Sequence, residues 1–279
     1  MKLQLSNTLR LIVVGAMALI NALAWGQMVN PVKHVEHIEA MPRHEALKAF
    51  CAMLDEANVA GKKVYKNIVA SCEEMLSEPT WDTHNEELFK LLIEHGSTAS
   101  CLNDNERLRS QSLLEVVRKN APGTIVTDIE YETLDGSHHR LSDISTAYTL
   151  IYFNDPECFS CAKVKERLDT CSTLKSLVSD GMLTVLGIYP YDNTQEWHLE
   201  PFPQYIINGW DFKQEVETKQ TYDLMTMPLF YLLDTDKRVI VKNEASLNRM
   251  LKAITRLKEM ENSNIDAKLD AVFQIDKSR

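Results

Sequence analysis

Hydrophobic spacing divides the chain into a helical part and a part of alternating strands and helices, with the change near "NAPGTIV", residues 120 to 126. Ahead of that break, apolar residues recur at intervals of three and four, the repeat that lines one face of an α-helix. In "HEALKAFCAMLDEA" they are Leu47, Phe50, Cys51 and Leu54, and in "VYKNIVASCEEML" they are Val64, Ile68, Cys72 and Met75. "THNEELFKLLIEHG" opens with Thr83 and Glu86 in capping-box spacing and closes on Gly96, a natural C-cap. "NDNERLRSQSLLEVVRKN" predicts a fourth helix, stopped by Pro122 and Gly123. Residues 41 to 119 therefore predict a small helical domain, with nothing arranged like a catalytic site.

Beyond the break the period changes. "TIVTDIEYETLDGSHHRLSD" predicts a strand, a turn at Asp135-Gly136 and a short return strand. "YTLIYFN" is a compact aromatic and β-branched run suited to a central buried strand. Then come the cysteine pair of "NDPECFSC" and an amphipathic helix, "AKVKERLDTCSTLKSLVSDG", ended by Gly181. "MLTVLGIYP" is a second buried strand. An aromatic, proline-bearing stretch leads to "PLFYLLD", "RVIVKN" and "SLNRMLKAITRLKEM", which read as strand, strand and helix. From about Glu261 the chain is polar enough for a tail.

The N-terminus, "MKLQLSNTLRLIVVGAMALINALAWGQ", has basic Lys2 and Arg10 ahead of an apolar run and small Ala24 and Gly26 around Trp25. That is the layout of a secretory signal peptide covering residues 1–26, with cleavage between Gly26 and Gln27. The run from Leu11 to Ala24 is short for a membrane span, so anchoring by an uncleaved N-terminus is the lesser alternative. Export to the periplasm places the six cysteines in an oxidising compartment, where disulfides persist. Loss of Lys2 and Arg10 takes the formal net charge from -10 to -12, with the acidic residues spread along the chain. Nucleic acid and anionic membrane surfaces are disfavoured as partners on that ground.

Cys158 and Cys161 sit where a buried strand runs into a helix. A cysteine in the first turn faces unpaired backbone N–H groups and the positive end of the helix dipole, which favour thiolate over thiol. Cys158 is the candidate attacking thiol, and Cys161, one turn on and facing inward, the resolving thiol. Phe159 and Ser160 lie between them and would tune potential and access.

The segment "APGTIVTDIEYETLDGSHHRLSDISTAYTLIYFNDPECFSCAKVKERL" resembles a thioredoxin-like domain of the TlpA/ResA and AhpC/TSA type. "YDLMTMPLFYLLDTDKRVIVKN" continues the likeness, with Met227-Pro228 matching the cis-proline element that faces the cysteine pair. The helical part, especially "NEELFKLLIEHG" and "RLRSQSLLEVVRKNAPGT", is similar to a domain of unknown function that precedes thioredoxin-like domains in exported proteins of Gram-negative bacteria. The resemblance implies an α/β thioredoxin-like fold, a central mixed sheet flanked by helices, preceded by a small all-α domain. Its boundaries would be a helical domain over 27–119, a thioredoxin-like domain over 120–260 and a polar tail over 261–279. It also implies Cys158 as nucleophile, Cys161 as resolving thiol, and Pro228 as the cis-proline whose neighbour Met227 offers backbone to an incoming peptide.

Two positions depart from that pattern. Tyr152 stands where thioredoxins bury a carboxylate six residues before the first cysteine, and Glu157 stands where a tryptophan is usual. With Asp155, Glu157 places negative charge beside Cys158, which would oppose thiolate formation. Asp155 also occupies the position where a peroxidase of this superfamily carries threonine, which weakens a peroxidase reading.

Zinc would need a second cysteine pair, and none exists, so no metal site is assigned. No organic cofactor is implied. The activity expected is disulfide exchange with protein or peptide disulfides, with electrons supplied or accepted by an envelope redox partner. The alternative is a non-enzymatic cell-envelope binding protein in which the pair is a structural disulfide.

The remaining candidates have plainer readings. Cys171 shares a helical face with Cys161, Val164 and Leu168 and reads as core. Cys51 and Cys72 are either bridged or two buried thiols, and Cys101 has no evident partner. His34, His37 and His44 read as a solvated linker, and His138 and His139 as exposed turn residues. Trp197 and Trp210 read as core packing ahead of a substrate groove.

Overall fold

The computed structural model describes residues 31–199, 201–224, 226–260 and 264–273. The expected signal peptide and its cleavage point lie outside them. Among the described residues no helix is long and apolar enough to cross a membrane. The chain divides into two compact units, one holding residues 31–78 and 88–115, the other residues 79–87 and 116–273.

The first unit is helical. It comprises α1 (Pro31–Glu39), α2 (Arg43–Ala60), α3 (Lys62–Ser77) and most of α4 (Glu86–Gly96) and α5 (Asp104–Val117). Phe50, Met53, Leu54 and Ala57 of α2 are buried, as are Tyr65, Ile68, Cys72, Met75 and Leu76 of α3. Each large apolar side chain so buried contributes about 1.5–3 kcal/mol. Polar bonds tie the helices together: the Tyr65 hydroxyl is 2.8 Å from His95 Nδ1, whose Nε2 is 3.2 Å from Asp55. At Gly96 an added Cβ would lie 2.8 Å from Ser110 Oγ, so this close approach of α4 and α5 requires glycine.

Two expectations shift here. The stretch holding His34 and His37 is a helix rather than a linker, because Val35 and Ile38 are buried along one of its faces. The capping box belongs to α5, where Asn103 N–H donates to the Glu106 carboxylate (2.9 Å) and Glu106 N–H to Asn103 Oδ1 (3.0 Å). α4 begins at Glu86 itself, which turns its carboxylate to Lys242 and Asn243 instead.

The second unit is built on a seven-stranded sheet in the order β2-β1-β5-β4-β3-β6-β7. Its strands are β1 (Glu130–Thr133), β2 (His138–Arg140), β3 (Tyr148–Phe153), β4 (Leu183–Tyr189), β5 (Ile206–Trp210), β6 (Leu229–Asp234) and β7 (Val239–Glu244). β3, β4 and β5 run parallel to their neighbours in that group, and the β1–β2, β1–β5, β3–β6 and β6–β7 pairs are antiparallel. All six residues of β3 are buried. Their alternation sends Leu150 and Tyr152 to one core cluster and Ile151 and Phe153 to the other. Helices α6 (Phe159–Thr170), α7 (Ser172–Ser179) and α10 (Leu247–Lys258) cover the first cluster. Short helices α8 (Thr194–Leu199) and α9 (Glu215–Thr218) lie in the segments around β5.

β5 falls in the stretch between the second strand and Pro228 that hydrophobic pattern leaves unassigned. The strand is short and carries Asn208 and Gly209, types depleted in strands. Gly209 is required because a Cβ there would come within 2.8 Å of the Tyr131 ring. The single helix expected after the cysteines is two, broken at the extended Cys171. That break lets Leu168 on one helix and Leu174 and Leu177 on the next reach the same core. The region expected as a polar tail contains α11 (Ile265–Phe273), where the spacing of Leu269 and Val272 supplies a face to α10 and β7. Residues 79–87 join the sheet unit through Arg249, whose guanidinium donates to the carbonyls of Pro79 (2.7 Å) and Trp81 (2.6 Å) while pairing with Glu244 (2.8 Å).

Candidate active site

The β3–α6 connection, "NDPECFSC", shapes the site. Asp155 Oδ1 accepts from Glu157 N–H at 2.9 Å, and Asp155 O accepts from Cys158 N–H at 3.1 Å. Pro156 between them suits such a turn. The turn delivers Cys158 to the N-cap of α6 in extended geometry, its Sγ accepting the Cys161 N–H at 3.3 Å. A sulfur at this place meets a backbone donor at the N-terminus of the helix.

Across from it the Met227–Pro228 peptide is cis. The Cys158 thiol lies 3.7 Å from the Met227 carbonyl oxygen and donates to it. Cys158 is half-buried and Cys161 buried, so one thiol is open to a partner and the other is not. Burial, reinforced by Cys158, pushes the Cys161 thiol well above the ordinary range. All six cysteines are free thiols, including Cys51, Cys72 and Cys101. Cys171, half-buried, packs against the sheet core.

Phe159 projects outward, 73% exposed, with the Lys163 ammonium 4.3 Å above its ring. Ser160 beside it is exposed as well. Glu157 is exposed, and its charge and that of Asp155 reach Glu196, whose carboxyl is raised by desolvation first and by these two neighbours next. Tyr191 also belongs to the surroundings: burial raises its hydroxyl, and Asp155, Glu217, Cys161 and Cys158 add to the effect. Its place after β4 gives no signal in local sequence, since β4 approaches the pair only through the fold.

Beneath the pair, Tyr152 is fully buried and donates its hydroxyl to the Cys161 carbonyl at 2.9 Å. Its ring stacks on Phe230 (5.1 Å between centroids) and tilts against Phe202 (6.3 Å). The position therefore holds an aromatic fastener between β3 and α6. The other candidates take structural places. Trp197 is buried with its indole N–H on Asn208 Oδ1 (2.8 Å), and the Trp210 indole donates to Tyr191 O (2.8 Å). His138 and His139 are exposed as read, but on strand β2 rather than in the turn, and His138 stacks on Phe212 at 4.3 Å.

Comparison with solved structures finds this architecture in a thioredoxin-like protein from Bacteroides caccae ATCC 43185, with a TM-score of 0.74 and 29% identity over 85% of this chain and 83% of that one. A conserved protein of unknown function from Bacteroides fragilis is 34% identical over 48% of this chain and 98% of its own, with a TM-score of 0.46. No protein-family model matches the chain, and the curated proteins contain no match. The chain is a thioredoxin-like protein: a mixed sheet flanked by helices, with helices ahead of the sheet, as the resemblance in its sequence implies.

Proposed function

We propose that this protein is an exported, periplasmic thiol–disulfide oxidoreductase acting on protein or peptide disulfides. The observation that carries the reading is the asymmetry of the pair: Cys158 half-exposed at a helix N-cap and facing the Met227–Pro228 peptide, Cys161 buried behind it. In the reducing direction the Cys158 thiolate attacks a substrate disulfide, one substrate sulfur leaves, and a mixed disulfide forms against the Met227–Pro228 segment. Cys161 then attacks Cys158 and releases the second sulfur. Phe159 and Ser160 are the exposed residues a substrate would meet first, and Asp155 and Glu157 set the charge around it.

The test is the reduction potential of the Cys158/Cys161 pair in glutathione and dithiothreitol buffers, with Cys158→Ser as control. A reversible two-electron couple between the thioredoxin potential of about -270 mV and the periplasmic-oxidant potential of about -120 mV is the expected result. A pair that stays oxidised well below about -300 mV would be a structural staple. The chain would then be a binding protein on a thioredoxin-like scaffold. Fractionation of cells expressing the full chain, with N-terminal sequencing of the product, tests export and cleavage after Gly26.

A further inference from the structure

We propose that β5 carries a second binding site, a cleft along its open edge that takes an extended, uncharged peptide segment of a partner protein by strand addition. The site contains neither cysteine of the pair and does not depend on disulfide exchange.

The opening comes from the turn that ends β1. Gly136, at φ +79°, donates its N–H to the Thr133 carbonyl (2.8 Å). Asp135 Oδ1 accepts from Ser137 N–H (3.1 Å) and from the Thr133 hydroxyl (2.7 Å). The chain therefore reverses directly after Thr133, and β1 meets β5 only through Glu132 opposite Trp210 and Thr133 opposite Gly209. On its other side β5 pairs with β4 along its whole length, from Ile206 to Trp210. Ile206, Ile207 and Asn208 consequently have a strand on one side and, among the described residues, none on the other. The Ile206 N–H turns back to the Pro203 carbonyl (2.9 Å), so the open stretch runs from there to Asn208. An edge of this kind presents unpaired backbone groups to an incoming strand.

A cleft of about 580 Å³ lies along it, between the Leu134–Asp135 turn and Phe202, Ile206, Ile207 and Asn208. Leu134 stands 51% exposed on its wall. An independent observation is the Asn208 side chain, which is 8% exposed. The Trp197 indole N–H can only donate, and it donates to Asn208 Oδ1 at 2.8 Å, which fixes the orientation of the amide. Nδ2 is thereby turned away from the indole, and it donates to no group among the described residues. A buried donor is costly to leave unpaired, so the cleft calls for an acceptor oxygen at this point. Of the groups lining the cleft, the carboxylate of Asp135 and the imidazole of His139 are both exposed, and the carboxylate opposes an anionic occupant. A neutral carbonyl oxygen is left as the acceptor. An extended main chain supplies that carbonyl and ladder partners for the open edge together, while alternate side chains lie against the apolar wall.

The test is a titration of the isotope-labelled full chain with an acetylated and amidated hexapeptide of alternating threonine and valine, followed by amide NMR. Shifts are expected on Thr133, Leu134 and Ile206 to Asn208, including the side-chain amide of Asn208. The same peptide N-methylated at every residue has no N–H to pair and is expected to cause none. Leu134→Lys, at an exposed position, places a charge on the edge and should weaken binding by roughly fivefold or more. Asn208→Asp keeps the acceptor for Trp197 and removes the donor, and should weaken binding by roughly fivefold, the worth of one net hydrogen bond. Should Asn208→Asp lose its circular dichroism spectrum, Leu134→Lys decides. No shift with the hexapeptide, equal binding of its methylated form, or an unmoved affinity in folded Leu134→Lys overturns the proposal. So does sedimentation showing that the same edge is closed by a second copy of this chain. The peptide carries no cysteine, so either result leaves the oxidoreductase reading to its own test.

Discussion

Replacing Tyr152 by phenylalanine and by alanine separates what its ring does beneath the cysteine pair from what its hydroxyl does. The ring is fully buried, 5.1 Å from Phe230 and 6.3 Å from Phe202 between centroids. Deleting it leaves a cavity in the core under α6, and large-to-small changes of this kind cost about 3–5 kcal/mol. The hydroxyl makes a 2.9 Å bond to the Cys161 carbonyl, whose net worth is about 1 kcal/mol. In a unit of this size that is a fall in melting temperature of about 2–4 °C for Tyr152→Phe. Burial, and after it the charges of Cys161 and Cys158, hold the Tyr152 proton well above the ordinary phenol range. The hydroxyl therefore stays protonated near neutral pH and is no base for Cys161. Thermal and urea unfolding of the reduced protein, followed by circular dichroism, measures the stability difference, and a mixed-disulfide turnover assay measures the rate. Tyr152→Phe should keep the wild-type rate, whereas losing a general base costs roughly 10²–10⁴-fold. A loss of that size in a folded Phe variant, or a Phe variant as destabilised as the Ala variant, would refute this division of labour.

Three further outcomes follow from the packing. Glu86 and Lys242 form an ion pair of 3.2 Å with side chains 11% and 5% exposed, so Glu86→Ala strands a buried ammonium and should destabilise by about 3–5 kcal/mol in urea titration. Adding Lys242→Met should recover most of that loss, and a double variant no better than the single one would show the pair is not the cause. Gly187 has the Phe202 ring 2.6 Å from where a Cβ would sit, so Gly187→Ala should cost about 1–3 kcal/mol by overpacking, read as a lower melting temperature. Burial pushes Cys72 up to about 12 from an ordinary value of 9.0. A raised folded value means its stabilisation is complete below pH 9.0 and is lost as pH climbs toward 12, about 4 kcal/mol in all for the reduced protein. Cys72→Ala should flatten that alkaline slope in urea titrations at stepped pH, and an unchanged slope would count against a buried thiol there.

Much of this was open to reading along the chain. A run of aromatic, aliphatic and β-branched residues at 148–153 marks a strand buried on both faces, and a cysteine pair at its end marks the strand-to-helix junction, because both signals are local. Met227-Pro228 was visible as a motif, but its distance to Cys158 was not, since 69 residues separate the two. Strand β5 was hidden because Asn208 and Gly209 weaken its local signal, and its partners β1 and β4 lie far away in sequence. The helix of α1 was hidden by its polar majority, with only Val35 and Ile38 buried.

By itself the sequence singled out the candidate thiols, since the cysteine spacing and its place at a strand-to-helix junction are properties of a few neighbouring residues. It also determined the alternation of elements, because hydrophobic period is a property of each segment alone. The tertiary structure decided that the Tyr152 hydroxyl bonds the Cys161 carbonyl, that the Cys158 thiol meets the Met227 carbonyl across the fold, and that Tyr191 belongs to the surroundings of the pair. Those are relations between β3, α6, the segment after β4 and the segment before β6. They exist only once burial of the apolar faces has closed the loops between these elements, at an entropic cost that no local pattern records.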